Sequence, residues 1–127
     1  MSPASTVLVV DDDKNVCDII RAELGGQGYA TVVAGNGQEA LAYLRGAALR
    51  PSLILLDLMM PVMTGWEFRR VQQDDPALAD IPVAIITGLP DVQEKAEALG
   101  AVDVLTKPSR VETLTALVSR FCGKGKK

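Results

Sequence analysis

The sequence predicts an α/β fold in which helices cover both faces of a doubly wound, five-stranded parallel sheet. Short apolar runs alternate with segments of helical periodicity from one end of the chain to the other, which is typical of repeated βα units. The runs are continuously apolar, as in strands that are buried on both faces of a sheet. The 127 residues, 48% hydrophobic and 23% charged, fit one globular domain.

Five runs rich in valine, isoleucine and leucine predict the strands. In chain order they are Thr6 to Val10, Ala30 to Ala34, Leu53 to Leu56, Pro82 to Ile86 and Val102 to Thr106. Short right-handed crossovers between parallel strands convert this βαβαβαβαβα order into a doubly wound sheet.

Apolar residues recur at helical spacing between the strands, and each stripe should face the sheet. In the first helix the stripe is Val16, Ile19, Ile20 and Leu24. In the last helix it is Val111, Leu114, Leu117, Val118 and Phe121. Trp66 and Phe68 lie just inside the third helix, where aromatic side chains are usually core or half-core residues.

Capping residues predict where the helices begin and end. Asp13 is expected to cap the first helix. Four further starts have a cap residue with Glu three positions later, and the pairs are Asn36 and Glu39, Thr64 and Glu67, Asp91 and Glu94, and Ser109 and Glu112. The expected helix stops are Gly28, Gly46 and Gly100, and the helix before Gly100 is the shortest.

Composition excludes several classes of function. The net charge of -3 argues against a nucleic-acid partner, and no apolar segment is long enough for membrane insertion, so we expect a cytoplasmic protein. Cys17 and Cys122 lie in apolar stretches, and we expect no disulfide. Because histidine is absent, the chain has no histidine-ligated zinc, no Ser-His-Asp triad and no phosphohistidine of its own.

Polar side chains gather at the carboxyl ends of the predicted strands, where doubly wound sheets bind ligands. Asp11 and Asp12 follow the first strand, Asp57 the third and Lys107 the fifth, and Thr87 follows the fourth. Clustered carboxylates repel one another unless a cation joins them, and Mg2+ prefers oxygen ligands. Each residue alone is more often a turn, cap or surface residue, but together they predict a magnesium site.

Four segments resemble the motifs of response-regulator receiver domains. They are residues 7–13 (VLVVDDD), 53–65 (LILLDLMMPVMTG), 85–88 (IITG) and 105–108 (LTKP). The similarity covers roughly residues 6–122. It implies a flavodoxin-like sandwich with the strand order 2-1-3-4-5, an N-terminal extension over residues 1–5 and a basic tail over residues 123–127.

The resemblance also implies a role for each site residue. Asp57 would be the phosphoacceptor, which attacks phosphorus to form an acyl phosphate. Asp12, Asp57 and the backbone carbonyl of Met59 would bind Mg2+ directly, and Asp11 would bind it mostly through water. Thr87 and Lys107 would neutralise the phosphoryl oxygens. Further expectations are an unhindered approach past Gly88, a loop shaped by Pro61 and Gly65, and a cis peptide between Lys107 and Pro108.

From the resemblance we expect a stand-alone response regulator or a phosphoryl shuttle. The donor would be a sensor histidine kinase or a phosphotransfer protein, and the downstream protein is not encoded in the sequence. The chain would catalyse only its own phosphorylation and slow dephosphorylation. Direct nucleic-acid binding and membrane insertion are not expected.

Three features depart from the family pattern or modify it. Val104 stands where receivers commonly have an aromatic switch residue, and the segment from Thr87 to Gly100 is about two residues shorter than usual. Both departures concern output. Met59 and Leu89, two positions after Asp57 and Thr87, are apolar and should exclude hydrolytic water from the acyl phosphate, which predicts a long-lived phosphoryl group.

Two alternatives compete with this interpretation. One is an aspartyl-phosphate hydrolase of the haloacid-dehalogenase type, but its DxDx[TV] motif is absent after the first strand and Asp57 would lack a role. The other is a protein-binding module with the receiver fold that acts without phosphorylation. The presence of all five polar site residues argues against the second alternative.

Overall fold

The computed structural model describes residues 6–47, 50–88, 92–107 and 111–123. Within them five strands alternate with five helices. Their bounds are β1 Thr6–Val10, α1 Lys14–Gly25, β2 Ala30–Ala34, α2 Gly37–Gly46, β3 Leu53–Leu56, α3 Gly65–Asp74, β4 Val83–Thr87, α4 Gln93–Ala98, β5 Asp103–Thr106 and α5 Val111–Cys122.

The strands form one parallel sheet in the order β2-β1-β3-β4-β5. Val10 of β1 is paired with Leu56 of β3, and Thr87 of β4 is paired with Thr106 of β5. The carboxyl ends of β1 and β3, and those of β4 and β5, are therefore level with each other. This confirms the predicted doubly wound fold and its strand order.

Two apolar layers enclose the sheet. Leu8 and Leu56 pack with Phe68 of α3 on one face, whereas Val9 and Leu55 pack with Leu117 of α5 on the other. Successive residues of a strand point to opposite faces, so both alternating sets of side chains are buried. The continuous apolar runs in the sequence have this origin. Phe68 is fully buried, as predicted.

Most predicted helix starts are confirmed. The Asp13 carboxylate accepts hydrogen bonds from the N–H groups of Asn15 and Val16, and the Asn36 side chain accepts one from Glu39. Thr64 and Glu67 form a reciprocal capping box. α4 instead begins at Gln93 with Val92 as its N-cap, without a side-chain cap, and it is the shortest of the described helices. Two predicted caps, Asp91 and Ser109, lie outside the described residues.

Four local predictions are corrected. β4 covers Val83–Thr87 rather than starting at Pro82, because proline has no N–H to donate to the hydrogen-bond ladder of the sheet. β5 begins at Asp103, one residue later than predicted. α1 ends at Gly25, three residues before Gly28. Ile19 is 62% exposed and does not face the sheet.

Both cysteines are free thiols, with Cys17 buried and Cys122 half-buried. Among the described helices, none is long and apolar enough to cross a membrane.

Candidate functional site

The predicted polar residues meet at the carboxyl edge of the sheet. Backbone hydrogen bonds fix three of them beyond the strand ends, because Asp11 N–H donates to Ala34 (3.0 Å), Asp57 N–H to Val10 (2.9 Å) and Lys107 N–H to the Thr87 carbonyl (2.8 Å). The parallel ladder thus continues one step past the strands. This continuation places the side chains on one rim.

Three carboxylates form a cluster at this rim. Oxygens of Asp11, Asp12 and Asp57 all lie within 4.8 Å of one another. Asp11 and Asp57 are buried, being 4% and 5% exposed, whereas Asp12 is exposed. The donors are all oxygen atoms and one of the carboxylates is open to solvent, so the cluster fits a hard divalent cation that keeps part of its water shell, such as Mg2+.

Lys107 is the cation that joins the two buried carboxylates. Its Nζ lies 2.7 Å from Asp11 Oδ2 and 3.4 Å from Asp57 Oδ2. Burial alone would lower the pKa of Lys107, but the hydrogen bond and charge of Asp11, followed by those of Asp57, raise it above its ordinary value. The ammonium therefore stays protonated at neutral pH and supplies a fixed positive charge.

Asp57 lies in an environment that disfavours its own charge. Burial raises the pKa of Asp57 above its ordinary value, and the negative charge of Asp11 raises it further. Lys107 and the Met59 N–H, which donates to Asp57 Oδ1 over 3.3 Å, act in the opposite direction. A divalent cation in the cluster would lower the pKa by offsetting the repulsion between the carboxylates.

Asp11 is held by groups that the sequence did not reveal. The N–H of Asp13 donates to Asp11 Oδ1 over 2.9 Å, and the Cys17 thiol donates to the Asp11 carbonyl over 3.3 Å. Burial, followed by the charge of Asp11, raises the pKa of Cys17 to about 11. Cys17 therefore remains a neutral thiol behind the site. Its contact depends on how α1 packs behind β1, and sequence spacing does not report that.

The loop from β3 to α3 shapes the other side of the site. The Gly65 N–H donates to the Leu58 carbonyl over 3.0 Å, and a Cβ on Gly65 would lie 2.3 Å from the Asp57 carbonyl oxygen. Only glycine fits this approach, which supports the predicted role of Gly65 in the loop. Val62 has a φ of 68°, in the left-handed region that β-branched residues rarely adopt. Met59, two residues after Asp57, is 56% exposed.

The remaining predicted site residues are partly described. Thr87 is fully buried at the end of β4. A Cβ built on Gly88 would meet nothing within 4 Å, which fits the expected unhindered approach. Leu89 and the predicted cis peptide at Pro108 lie outside the described residues. Half-buried Val104 packs against the apolar layer of α2 and α3.

The sequence is similar to proteins of one family. The family model described as "Response regulator receiver domain" matches residues 7–119. DNA-binding response regulator MtrA of Mycobacterium tuberculosis is 38% identical over 114 residues, which are 88% of this chain and 48% of that protein. RpaA of Synechocystis, a DNA-binding dual master transcriptional regulator, is 37% identical over 88% of this chain and 46% of its own length. The chain thus spans about half the length of these curated relatives.

Solved structures agree with this similarity. Chemotaxis protein CheY4 of Vibrio cholerae superimposes with a TM-score of 0.83 and 32% identity, covering 94% of this chain and 99% of that chain. Response regulator protein TrrA of Thermotoga maritima, solved in complex with Mg2+-BeF, has a TM-score of 0.81 and 25% identity, covering 92% and 98% of the two chains.

Proposed function

The chain belongs to the response regulator receiver family of two-component systems, and on this premise we propose that Asp57 accepts a phosphoryl group from a partner's phosphohistidine in the presence of Mg2+. The observation that carries the proposal is the position of the buried Asp57 beside the buried Asp11 and the half-buried Lys107, at the sheet edge where Asp12 is exposed to solvent.

The donor set supports a bound magnesium ion. Asp12, Asp57 and the Met59 carbonyl would hold the ion directly. Asp11, whose Oδ1 and Oδ2 already accept from Asp13 N–H and Lys107, would act mostly through water. When bound, Mg2+ would neutralise charge on the phosphoryl oxygens and on the carboxylates. The solved complex of TrrA with Mg2+-BeF supports the binding of a magnesium ion by this fold.

The residues of this chain position and neutralise the reacting groups. An Asp57 carboxylate oxygen attacks phosphorus, the phosphorus–nitrogen bond of the partner breaks, and its imidazole leaves as a new phosphorus–oxygen bond forms. Lys107, which contacts both Asp11 and Asp57, would balance negative charge on the equatorial oxygens. The hydroxyl of Thr87, at the end of β4, would donate a hydrogen bond to one of them. Phosphoryl transfer needs this positioning more than acid–base chemistry.

For the output of the switch we propose the kind of partner but not its identity. We propose one receiver domain over residues 6–122, flanked by the short segments 1–5 and 123–127, that changes a protein interaction on phosphorylation. A sensor histidine kinase or a phosphotransfer protein would be the donor, and the site would work in the cytoplasm. The net charge of -3 favours a protein target over direct binding to nucleic acid. A switch that changes a protein interaction and a phosphoryl shuttle both fit this account.

Phosphorylation by acetyl phosphate, with and without Mg2+, tests the proposal. We expect incorporation of one phosphoryl group that depends on Mg2+. Equal incorporation in the presence of a chelator would overturn the assignment of the acidic cluster as a magnesium site.

A further inference from the structure

A groove runs along α3, away from the carboxylate cluster. It has a volume of about 610 Å3 and lies between α3 and the residue that follows α4; its lining residues are Met63, Trp66, Glu67, Arg70, Val71, Gln73 and Leu99. A second groove, of about 390 Å3, lies between α2 and α3. Met63 and Val71 line both grooves. The two grooves therefore form one surface, which we call the α3 groove.

The floor of the α3 groove is apolar and incompletely covered. Met63, Trp66, Val71 and Leu99 pack against the core but are each only half-buried. α4 is six residues long and ends at Ala98, beside this floor. Half-exposed tryptophan and methionine side chains are favourable anchors for a partner, because Trp dominates binding energies at interfaces and Met adapts its shape.

The charged side chains that line the α3 groove are two arginines and one glutamate, so their net charge is positive. The Glu67 carboxylate accepts a hydrogen bond from the Thr64 N–H over 3.0 Å in the capping box, which holds it at the start of α3 but leaves its negative charge in place. Arg70 and Arg45 line the two parts of the groove, are exposed, and form no ion pair within the described part of the chain, Asp74 included. The α3 groove is therefore positively charged although the whole chain has a net charge of -3.

We propose that the α3 groove binds an acidic amphipathic helix of a partner protein. Its apolar side chains would cover Trp66, Met63 and Val71, and its carboxylates would pair with Arg70 and Arg45. A helix is favoured over an extended strand because a groove lined by helices offers no unpaired backbone edge, and a helix satisfies its own backbone hydrogen bonds. The proposal does not depend on phosphorylation of Asp57.

Trp66 makes the proposal directly measurable, since it is the only tryptophan in the chain. The probe is a synthetic helical peptide with leucine at every third or fourth position and glutamate on the flanks, added without phosphoryl donor. We expect a saturable change in Trp66 fluorescence. A peptide with lysine in place of every glutamate should bind far more weakly.

A charge reversal separates recognition from nonspecific adsorption. Arg70→Glu should weaken binding of the acidic peptide by roughly tenfold or more and strengthen binding of the lysine peptide. Arg21→Glu, the same change at an exposed residue of α1, is the control and should bind the acidic peptide as the wild type does. Both arginines are exposed, so both variants should keep the wild-type circular dichroism spectrum.

Three outcomes would overturn the proposal. The first is the absence of a saturable change in fluorescence. The second is a lack of charge specificity, seen either as equal affinity of Arg70→Glu and Arg21→Glu for the acidic peptide or as equal affinity of the wild type for the two peptides. The third is a fluorescence change that follows protein concentration alone, with dimers in sedimentation, because it would make a second copy of this chain the occupant. Phosphorylation of Asp57 can succeed or fail independently of all three.

Discussion

Gly65 lies so close to Asp57 that a Cβ on Gly65 would be 2.3 Å from the Asp57 carbonyl oxygen and 2.7 Å from the Leu58 Cα. Both contacts are with backbone atoms, which cannot move aside as a flexible side chain can. The start of α3 and the loop that carries the proposed phosphoacceptor thus fit together only if residue 65 has no side chain.

We predict that Gly65→Ala destabilises the protein by about 1–3 kcal/mol, the usual cost of overpacking, and slows phosphorylation because the Asp57 loop must shift. Gly25→Ala is the control, because a Cβ there meets nothing within 4 Å and alanine favours the end of α1. Urea denaturation and the rate of labelling by acetyl phosphate are the two measurements. Wild-type behaviour of Gly65→Ala in both would contradict the close approach.

Magnesium should stabilise the folded chain. Binding only to the native state adds RT ln(1 + [L]/Kd) to the free energy of unfolding, and it relieves the repulsion between Asp57 and Asp11. We expect the melting temperature to rise with millimolar Mg2+ at constant ionic strength. Asp12→Ala should reduce that rise, because it removes a carboxylate that is proposed to bind Mg2+ directly. A melting temperature that ignores Mg2+ in the wild type would argue against a metal site.

Val62 should be a strained position. Its φ of 68° costs an L-residue with a branched Cβ about 1–2 kcal/mol, and its 69% exposure means that little packing is lost on substitution. We predict that Val62→Asn raises the free energy of unfolding by about 1 kcal/mol, because asparagine tolerates this conformation. Val62→Ala keeps the Cβ and should gain much less. Equal stability of all three proteins in urea would show that the loop is not strained.

The phosphoryl group should be long-lived, and Met59 should contribute to this. Met59 is 56% exposed and its N–H donates to Asp57 Oδ1, so its side chain is not part of the core and is available to shield the acyl phosphate from water. We predict that Met59→Asn accelerates dephosphorylation by roughly tenfold, which corresponds to about 1.4 kcal/mol, because the asparagine amide can orient hydrolytic water. Loss of label is followed after removal of acetyl phosphate. Unchanged decay in Met59→Asn would remove Met59 from the account.

The site was largely predictable because parallel strands bring their carboxyl ends to one edge, so Asp11, Asp57 and Lys107 could be placed together from their positions after apolar runs. The motif resemblance then supplied their roles, which geometry alone does not. The prediction from helical periodicity was wrong for Ile19, because an apolar stripe indicates which side of a helix is buried but not how wide the buried side is.

Other features depend on tertiary packing and could not be predicted. Arg69 is only 7% exposed because its guanidinium donates to the Leu99 carbonyl over 2.8 Å and to the Gln72 side chain over 2.7 Å. Those acceptors come from the end of α4 and from α3 itself. Nothing in the local sequence distinguishes this buried arginine from the exposed Arg70 that follows it.

The most direct test of the account is phosphoryl incorporation into Asp57→Asn. Asp57→Asn, the wild type and a control variant are each incubated with acetyl phosphate and Mg2+, and their masses are measured by intact mass spectrometry. The control is Asp74→Asn, which removes an exposed carboxylate at the end of α3. The account predicts one added phosphoryl group on the wild type and on the control and none on Asp57→Asn, which should keep the wild-type circular dichroism spectrum. Incorporation into folded Asp57→Asn at the wild-type level would contradict it.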